Sequence, residues 1–255
     1  MTRTTGTDSW ISLIGGVAAI VGSLMGMVGN LIHPVTPLDD PSGVAQVIAD
    51  SGAWSPIHLV VLFGIVLMLE GLVAVRHSIQ GGLPEALARL GVATGVAGIA
   101  IGVVLVILDG VAAKQLADQW AVAPPEERAI ALAVVLANET INFALASSFN
   151  IVFAGATFLL FGLAIALDDV YPRWLGWVAV AAGALSVGAG LIQALTGEPT
   201  MASRVLTIIG PTVITLWLLY VGILMVRRAT QPADAVLGRG LPQAAGHLQH
   251  GPAPR

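Results

Sequence analysis

Six side chains that carry charge or hydrogen-bonding groups lie in or beside apolar segments, and these are the residues that could do chemistry. They are Glu70, His58, Asp109, Glu139, Asn142 and His33. Glu70 lies well inside an apolar segment, where an ionisable group is costly and marks a functional site by default. We expect it either to carry a proton or to anchor a cationic ligand. The other five are predicted near one end of their segments, where they would line a single polar cavity.

Each of these residues also has a structural interpretation. Two histidines and two carboxylates suit zinc or another divalent metal, but no His-x-x-x-His or His-Glu-x-x-His spacing occurs. In the structural interpretation, His33 and His58 hydrogen-bond lipid headgroups or loop carbonyls, and Asn142 hydrogen-bonds to a neighbouring helix. Glu70 would be an acid kept neutral by burial. The spacing therefore predicts no metal site and no catalytic residue.

The composition indicates lipid as the surrounding medium. Of the 255 residues, 56% are hydrophobic and 10% are charged, against about 25% charged in a soluble domain. The chain has no cysteine, which removes thiolate metal sites and cysteine nucleophiles. The phosphate-loop and dinucleotide-binding glycine motifs are missing, so no cofactor is predicted. A net charge of −4 without a basic block argues against nucleic acid, which leaves membrane lipids and a small-molecule ligand as predicted partners.

Six long apolar runs predict an all-α, six-span membrane protein. The predicted spans cover residues 11–32, 56–75, 90–111, 140–167, 174–195 and 205–226. Together they form one bundle over residues 1–228, followed by a tail, 229–255, that is predicted to be disordered in the cytoplasm. The third and fourth helices are expected to extend beyond the outer membrane surface. Whether residues 124–144 continue into the fourth span is left open. A short helix is predicted over 41–49, with Asp40 or Ser42 as its cap.

The distribution of lysine and arginine predicts the orientation. With a cytoplasmic N-terminus, eight of the 11 basic residues lie inside, and only Lys114, Arg128 and Arg204 lie outside. Both termini are therefore predicted to be cytoplasmic, and the polar cavity opens outward. A single lysine in a sequence rich in Ala, Gly and Val favours a bacterial protein of the cytoplasmic membrane.

Pairs of small residues at i,i+4 spacing occur in several spans. They are Gly22/Gly26, Gly91/Gly95, Gly98/Gly102 and Ser186/Gly190. Small side chains let helix backbones approach closely in lipid. We interpret them as packing sites within the chain rather than as the seam of a homo-oligomer.

The entry to the fifth span, Pro172-Arg173-Trp174-Leu175-Gly176, resembles that of a family of bacterial six-span membrane proteins known only as a domain of unknown function. The resemblance extends loosely to the acidic first loop, to its short helix and to the long helix that reaches the fourth span. It implies the six-span layout and brings no catalytic or ligand-binding residue with it.

Three classes of function follow from these residues. The first is a membrane protein that binds a small molecule or lipid, or takes part in transport, through the outward-facing polar cavity. The second is a structural or accessory membrane protein without a ligand. The third is an intramembrane enzyme that acts on a lipid-like substrate, which the missing enzyme motifs make the weakest of the three.

Overall fold

The computed structural model describes residues 6–37 and 39–231, and this part of the chain is helical, with no strand. Nine α-helices and two π-helical segments make up the described residues. In chain order they are α1 (Gly6–Ile32), α2 (Pro41–Asp50), α3 (Trp54–Ser78), α4 (Gly82–Val106), a first π segment (Ile107–Ala112), α5 (Ala113–Val122), α6 (Arg128–Phe149), a second π segment (Asn150–Thr157), α7 (Phe158–Ala166), α8 (Arg173–Thr196) and α9 (Met201–Ala229). The predicted tail lies almost wholly outside the described residues.

Six continuous helical stretches are long and apolar enough to cross a membrane, as predicted. Their surfaces expose many large apolar side chains, among them Phe63 (61% exposed), Ile130 (70%) and Ile208 (61%). A water-soluble monomer rarely exposes apolar patches on this scale. These surfaces fit the hydrocarbon of a bilayer, so the described residues have the architecture of a multi-pass membrane protein.

Two of the six stretches are far longer than a bilayer needs. The helix of the third span runs from Gly82 to Val122 over 41 residues, and that of the fourth runs from Arg128 to Ala166 over 39 residues. At ~1.5 Å per residue, 41 residues cover about 60 Å, whereas the hydrocarbon core is about 30 Å thick. Both helices are therefore longer than a bilayer requires, and residues 128–144 are continuous with the fourth span. The third helix begins eight residues before the predicted start at residue 90.

The extended ends of these helices carry α2, and we call this end of the molecule the α2 end. Asp40 caps α2, because its Oδ1 accepts hydrogen bonds from the Gly43 N–H (2.9 Å) and the Ser42 hydroxyl (2.8 Å). These bonds hold the pKa of Asp40 below its usual range. Ile48 packs on Ala113 and Ala117 of α5. The short helix and its predicted cap are thus present, and they close one end of the bundle.

The six spans form a closed ring in sequence order. α1 packs against α3 and α9, α3 against α4, α4 against α7, α7 against α8, and α8 against α9. The centre of the ring is filled by aromatic side chains, with Phe153, Phe158, Phe161 and Trp217 at most 3% exposed. The middle of the bundle is therefore a packed core.

The small-residue motifs serve contacts between helices of the same chain. A Cβ at Gly22 would lie 2.6 Å from the Gly64 carbonyl oxygen of α3, and one at Gly98 would lie 2.8 Å from the Phe153 Cα. Gly210 packs on Ser186, where an added Cβ would lie 2.6 Å from the hydroxyl oxygen. The close approach of helix backbones in lipid explains why small residues occupy these positions.

One motif supplies a matched pair of substitutions. Gly22→Ala should destabilise the protein by about 1–3 kcal/mol, because the new methyl group meets backbone atoms of α3 that cannot move independently. Gly26→Ala should not destabilise it, since a Cβ at Gly26 has no neighbour within 4 Å. Melting temperatures in mild detergent measure both effects. Equal melting temperatures for the two variants would contradict the assigned α1–α3 contact.

Candidate functional site

Residues from four elements meet at the α2 end of the bundle. His33 follows α1 directly, and His58 lies in the second turn of α3. Asp109 belongs to the first π segment, and Glu139 and Asn142 lie on α6. Five of the six residues singled out from the sequence are therefore neighbours at one end.

The first π segment shapes this end because a π turn displaces backbone carbonyls from the regular helical hydrogen-bond pattern. Three successive carbonyls are bound by side chains of adjacent helices. Trp54 Nε1–H donates to the Asp109 carbonyl (2.8 Å), the Ser55 hydroxyl to that of Gly110 (2.6 Å), and Asn138 Nδ2 to that of Leu108 (3.2 Å). Backbone groups in an apolar environment must be satisfied within the protein. These three bonds fix the π segment against α3 and α6.

Gly110 allows α3 to approach the π segment closely. A Cβ at this position would lie 2.3 Å from the His58 Cβ, a distance that no side chain tolerates without a shift of the backbone. The glycine therefore determines how near His58 comes to Asp109, the residue that precedes it.

His33, His58 and Asp109 form a compact cluster. His58 Nε2 lies 3.1 Å from Asp109 Oδ2 and 3.3 Å from His33 Nε2. One ligand atom from each of the three residues lies within 4.8 Å of the others. The Trp54 ring covers both imidazoles, with centroid distances of 4.8 Å to His33 and 5.0 Å to His58. Three groups able to bind a metal ion or share a proton thus face one another.

The backbone selects the tautomer of both histidines. His33 Nδ1 lies 2.8 Å from the Pro34 carbonyl oxygen, and His58 Nδ1 lies 2.8 Å from that of Trp54. A carbonyl oxygen only accepts, so each Nδ1 carries the proton and donates it. In its neutral form each imidazole then has its lone pair on Nε2, whereas the hydrogen bond to Asp109 Oδ2 requires a proton on His58 Nε2, because a carboxylate only accepts. Burial, reinforced by the neighbouring His58, lowers the pKa of His33 and favours its neutral form.

Glu139 and Asn142 lie beside this cluster. Glu139 is half-buried and interacts electrostatically with both Asp109 and His58. Asn142 is 3% exposed, its Nδ2 donates to Glu139 Oε1 (3.4 Å), and its Oδ1 has no hydrogen-bond partner among the described residues. This side of the site therefore has a carboxylate without an ion pair and an amide oxygen that remains available.

Glu139 also lines a groove of about 500 Å³ between α2, α6, α8 and α9. The lining mixes apolar groups with hydroxyls, an amide and charges of both signs. Phe143 and Ile208 are among the apolar residues, and Gln193 and Arg204 are among the polar ones. Arg204 Nη2 donates to the Thr36 carbonyl (3.3 Å) and links α9 to the segment after α1. The groove is open and lies next to the His–Asp cluster.

Glu70 is not part of this assembly. It is exposed on the surface of the bundle and is not among the residues that line the groove. It follows His58 by twelve residues on the same helix, a rise of about 18 Å. A second depression, of about 470 Å³, lies at the opposite end around Arg76, His77 and Glu85. Glu85 pairs there with Arg76 and Arg89, so this depression is a surface network of ion pairs.

The sequence patterns did not identify the residues that hold the cluster in place. Trp54, Ser55, Asn138 and Gly110 belong to no spacing motif that would assign them a role. Their function depends on the π segment, which breaks the helical periodicity on which such patterns rest. Arg204 and Phe143 belong to the groove because of packing between distant helices.

Comparison with protein-family models finds no match, and no curated protein or solved structure matches the chain. The resemblance noted at the entry to the fifth span stays a prediction.

The hydrogen bond from Trp54 to the π segment can be tested by a substitution that keeps an aromatic ring. Trp54→Phe should lower the free energy of unfolding by about 1 kcal/mol, because the buried Asp109 carbonyl loses its donor. Trp177→Phe is the control, since Trp177 is 59% exposed and makes no described hydrogen bond. Thermal unfolding in mild detergent measures the difference. Equal stabilities of the two variants would show that the π segment does not depend on this bond.

Proposed function

We propose that this protein binds an amphipathic small molecule, most simply a membrane lipid, in the groove at the α2 end. The observation that carries the proposal is the position and lining of that groove. It lies at the α2 end, between Phe143 on α6 and Arg204 on α9. A ligand there would have one part against apolar groups and another against charged and hydroxyl groups.

The chemistry of the lining favours an amphipathic ligand over a purely polar one. Ligand sites combine a mainly apolar surface with a few polar groups that orient the ligand. Phe143, Ile208 and Leu136 provide apolar contact, while Arg204 and Glu139 provide charges of opposite sign. Ile208 is 61% exposed, so the groove is accessible from the side where acyl chains would lie. A lipid-like ligand could enter it laterally.

Binding is better supported than transport. A transport pathway needs polar groups that continue through the membrane, whereas the middle of the described bundle is filled by Phe153, Phe158 and Phe161. Glu70, the deep carboxylate on which transport would depend, is exposed on the surface of the bundle. The His–Asp cluster and the groove lie together at the α2 end, an arrangement that suits a binding site near a membrane surface.

We further propose that the protein lies in the bacterial cytoplasmic membrane with both termini in the cytoplasm, so that the α2 end faces outward. Eight of the 11 basic residues support this orientation. The natural absence of cysteine makes labelling of single introduced cysteines unambiguous. In intact cells, a membrane-impermeant maleimide should label Gly52→Cys at the α2 end. Gln80→Cys at the opposite end should be labelled only after lysis. The reverse pattern would contradict the proposed orientation.

The ligand-binding proposal is tested by native mass spectrometry of the full-length protein extracted in mild detergent. A retained lipid or small-molecule mass is expected on the wild-type chain. Ala146→Leu places bulk in the groove and should abolish that mass, whereas Ala144→Leu, on an exposed face of the same helix, should keep it. Arg204→Gln should weaken retention and Arg227→Gln, at the far end of α9, should not.

Two results would overturn the proposal. One is a wild-type chain that retains no molecule above the level of bulk detergent and lipid. The other is equal retention by Ala146→Leu and Ala144→Leu when melting temperatures show that both are folded. Either result would favour a structural role in which the polar groups only satisfy one another.

A further inference from the structure

We propose that His33, His58 and Asp109 bind a divalent transition-metal ion, zinc being the best fit, at the α2 end of the bundle. The inference concerns the His–Asp cluster and not the groove, so it stands whether or not the groove holds a ligand. The His-based spacing motifs that reveal metal sites in sequences are absent, because each ligand comes from a different element.

Two of the three distances between the ligand atoms match those around a tetrahedral metal. With metal–ligand bonds of about 2.0–2.1 Å, neighbouring ligand atoms of a tetrahedral zinc site lie ~3.3 Å apart. His58 Nε2 lies 3.3 Å from His33 Nε2 and 3.1 Å from Asp109 Oδ2. His33 and Asp109 are no more than 4.8 Å apart. Asp109 has 32% of its side chain exposed, so a small rotation can bring its carboxylate to the ion.

Both histidines are oriented as metal-ligating histidines are. A ligating imidazole usually donates its other ring N–H to a carbonyl or carboxylate, which fixes the tautomer and the ring plane. His33 and His58 donate Nδ1–H to the carbonyls of Pro34 and Trp54. Trp54 further covers both rings. The two Nε2 lone pairs are thus directed toward the same point.

The charges around that point call for a cation. Asp109 and Glu139 are close enough to interact electrostatically. Among the described residues, Asp109 forms an ion pair only with His58, and Glu139 forms none. Burying carboxylates without a compensating charge is costly. A proton on His58 Nε2 can form a good hydrogen bond with only one of its two neighbours, His33 Nε2 or Asp109 Oδ2. A divalent ion, in contrast, binds all three of these atoms and offsets the negative charges of Asp109 and Glu139.

The site has an entry path and an open coordination position. Three protein ligands leave a fourth position of zinc for water or another group. Asp109 has 32% of its side chain exposed, and Glu139, which interacts electrostatically with Asp109 and His58, also lines the open groove. Metal can therefore reach the cluster from the surface at the α2 end.

The test is the metal content of the full-length protein, purified in detergent without a histidine tag. After equilibration with ZnCl₂ or CoCl₂ and removal of free metal, elemental analysis should find one ion per chain. Cobalt should also give the visible absorption bands of tetrahedral Co²⁺, a signature that loose surface binding does not produce. Added zinc should raise the melting temperature of the wild-type protein, because it binds only the folded site.

Variants locate the ion. His33→Gln, His58→Gln and Asp109→Asn should each reduce binding to background. His77→Gln is the matched control and should bind as wild type, since His77 lies at the opposite end. Gly110→Ala keeps every ligand but displaces His58, and it should weaken binding at least about tenfold, as changes to supporting residues commonly do. The double variant His247→Gln/His250→Gln removes the two imidazoles of the C-terminal segment and should leave the metal content unchanged.

Three results would overturn the proposal. They are a wild-type chain without bound metal, metal lost only in the His247/His250 double variant, and a His58→Gln variant that is folded and keeps its metal. The metal content of the wild-type protein is measured without any substitution. The proposal is therefore tested even if one of the variants fails to fold. Ala146→Leu blocks the groove and should keep the metal, so failure of lipid binding and failure of metal binding can be told apart.

Discussion

Backbone hydrogen bonding in an apolar environment is the constraint on which the α2 end of this protein depends. The π segment Ile107–Ala112 displaces carbonyls from the regular helical pattern, and lipid offers them no donor. Trp54, Ser55 and Asn138 donate side-chain hydrogen bonds to three of these carbonyls from two neighbouring helices. The bonds that satisfy the backbone are also the bonds that bring α3 against the π segment. The cluster of His33, His58 and Asp109 is a consequence of that contact.

The rest of the chain supports this end by being rigid and apolar. The six spans close into a ring whose centre is filled by aromatic side chains, and small residues let the helices approach closely. The extended ends of the third and fourth helices carry α2, whose Ile48 packs with Trp54 and Ala113 and whose Ala45 packs with Trp120 and Val135. The His–Asp cluster and the groove both lie at the α2 end, while the middle of the bundle is packed with apolar side chains. This separation favours binding at a membrane surface over passage through the membrane.

The six spans, the cap of α2 and the two long helices were predictable, because each depends on local properties of the chain. Runs of apolar residues specify a membrane span, and Asp40 before Pro41 is a local cap signal. The His33–His58–Asp109 cluster was predicted only as a set of neighbours in a loose cavity. Its tight geometry depends on the π segment and on Gly110, and neither has a pattern in the sequence. Glu70 is the opposite case, because it is conspicuous in the sequence yet lies on the exposed surface.

The central claim is that three elements bring two imidazoles and a carboxylate to a common point that holds a metal ion. Anomalous diffraction at the zinc absorption edge, from crystals of the protein equilibrated with zinc, tests that claim most directly. The account predicts a single strong anomalous peak about 2 Å from the Nε2 atoms of His33 and His58 and from an Asp109 carboxylate oxygen. A map with no peak there, or with the two imidazoles turned away from each other, would contradict it.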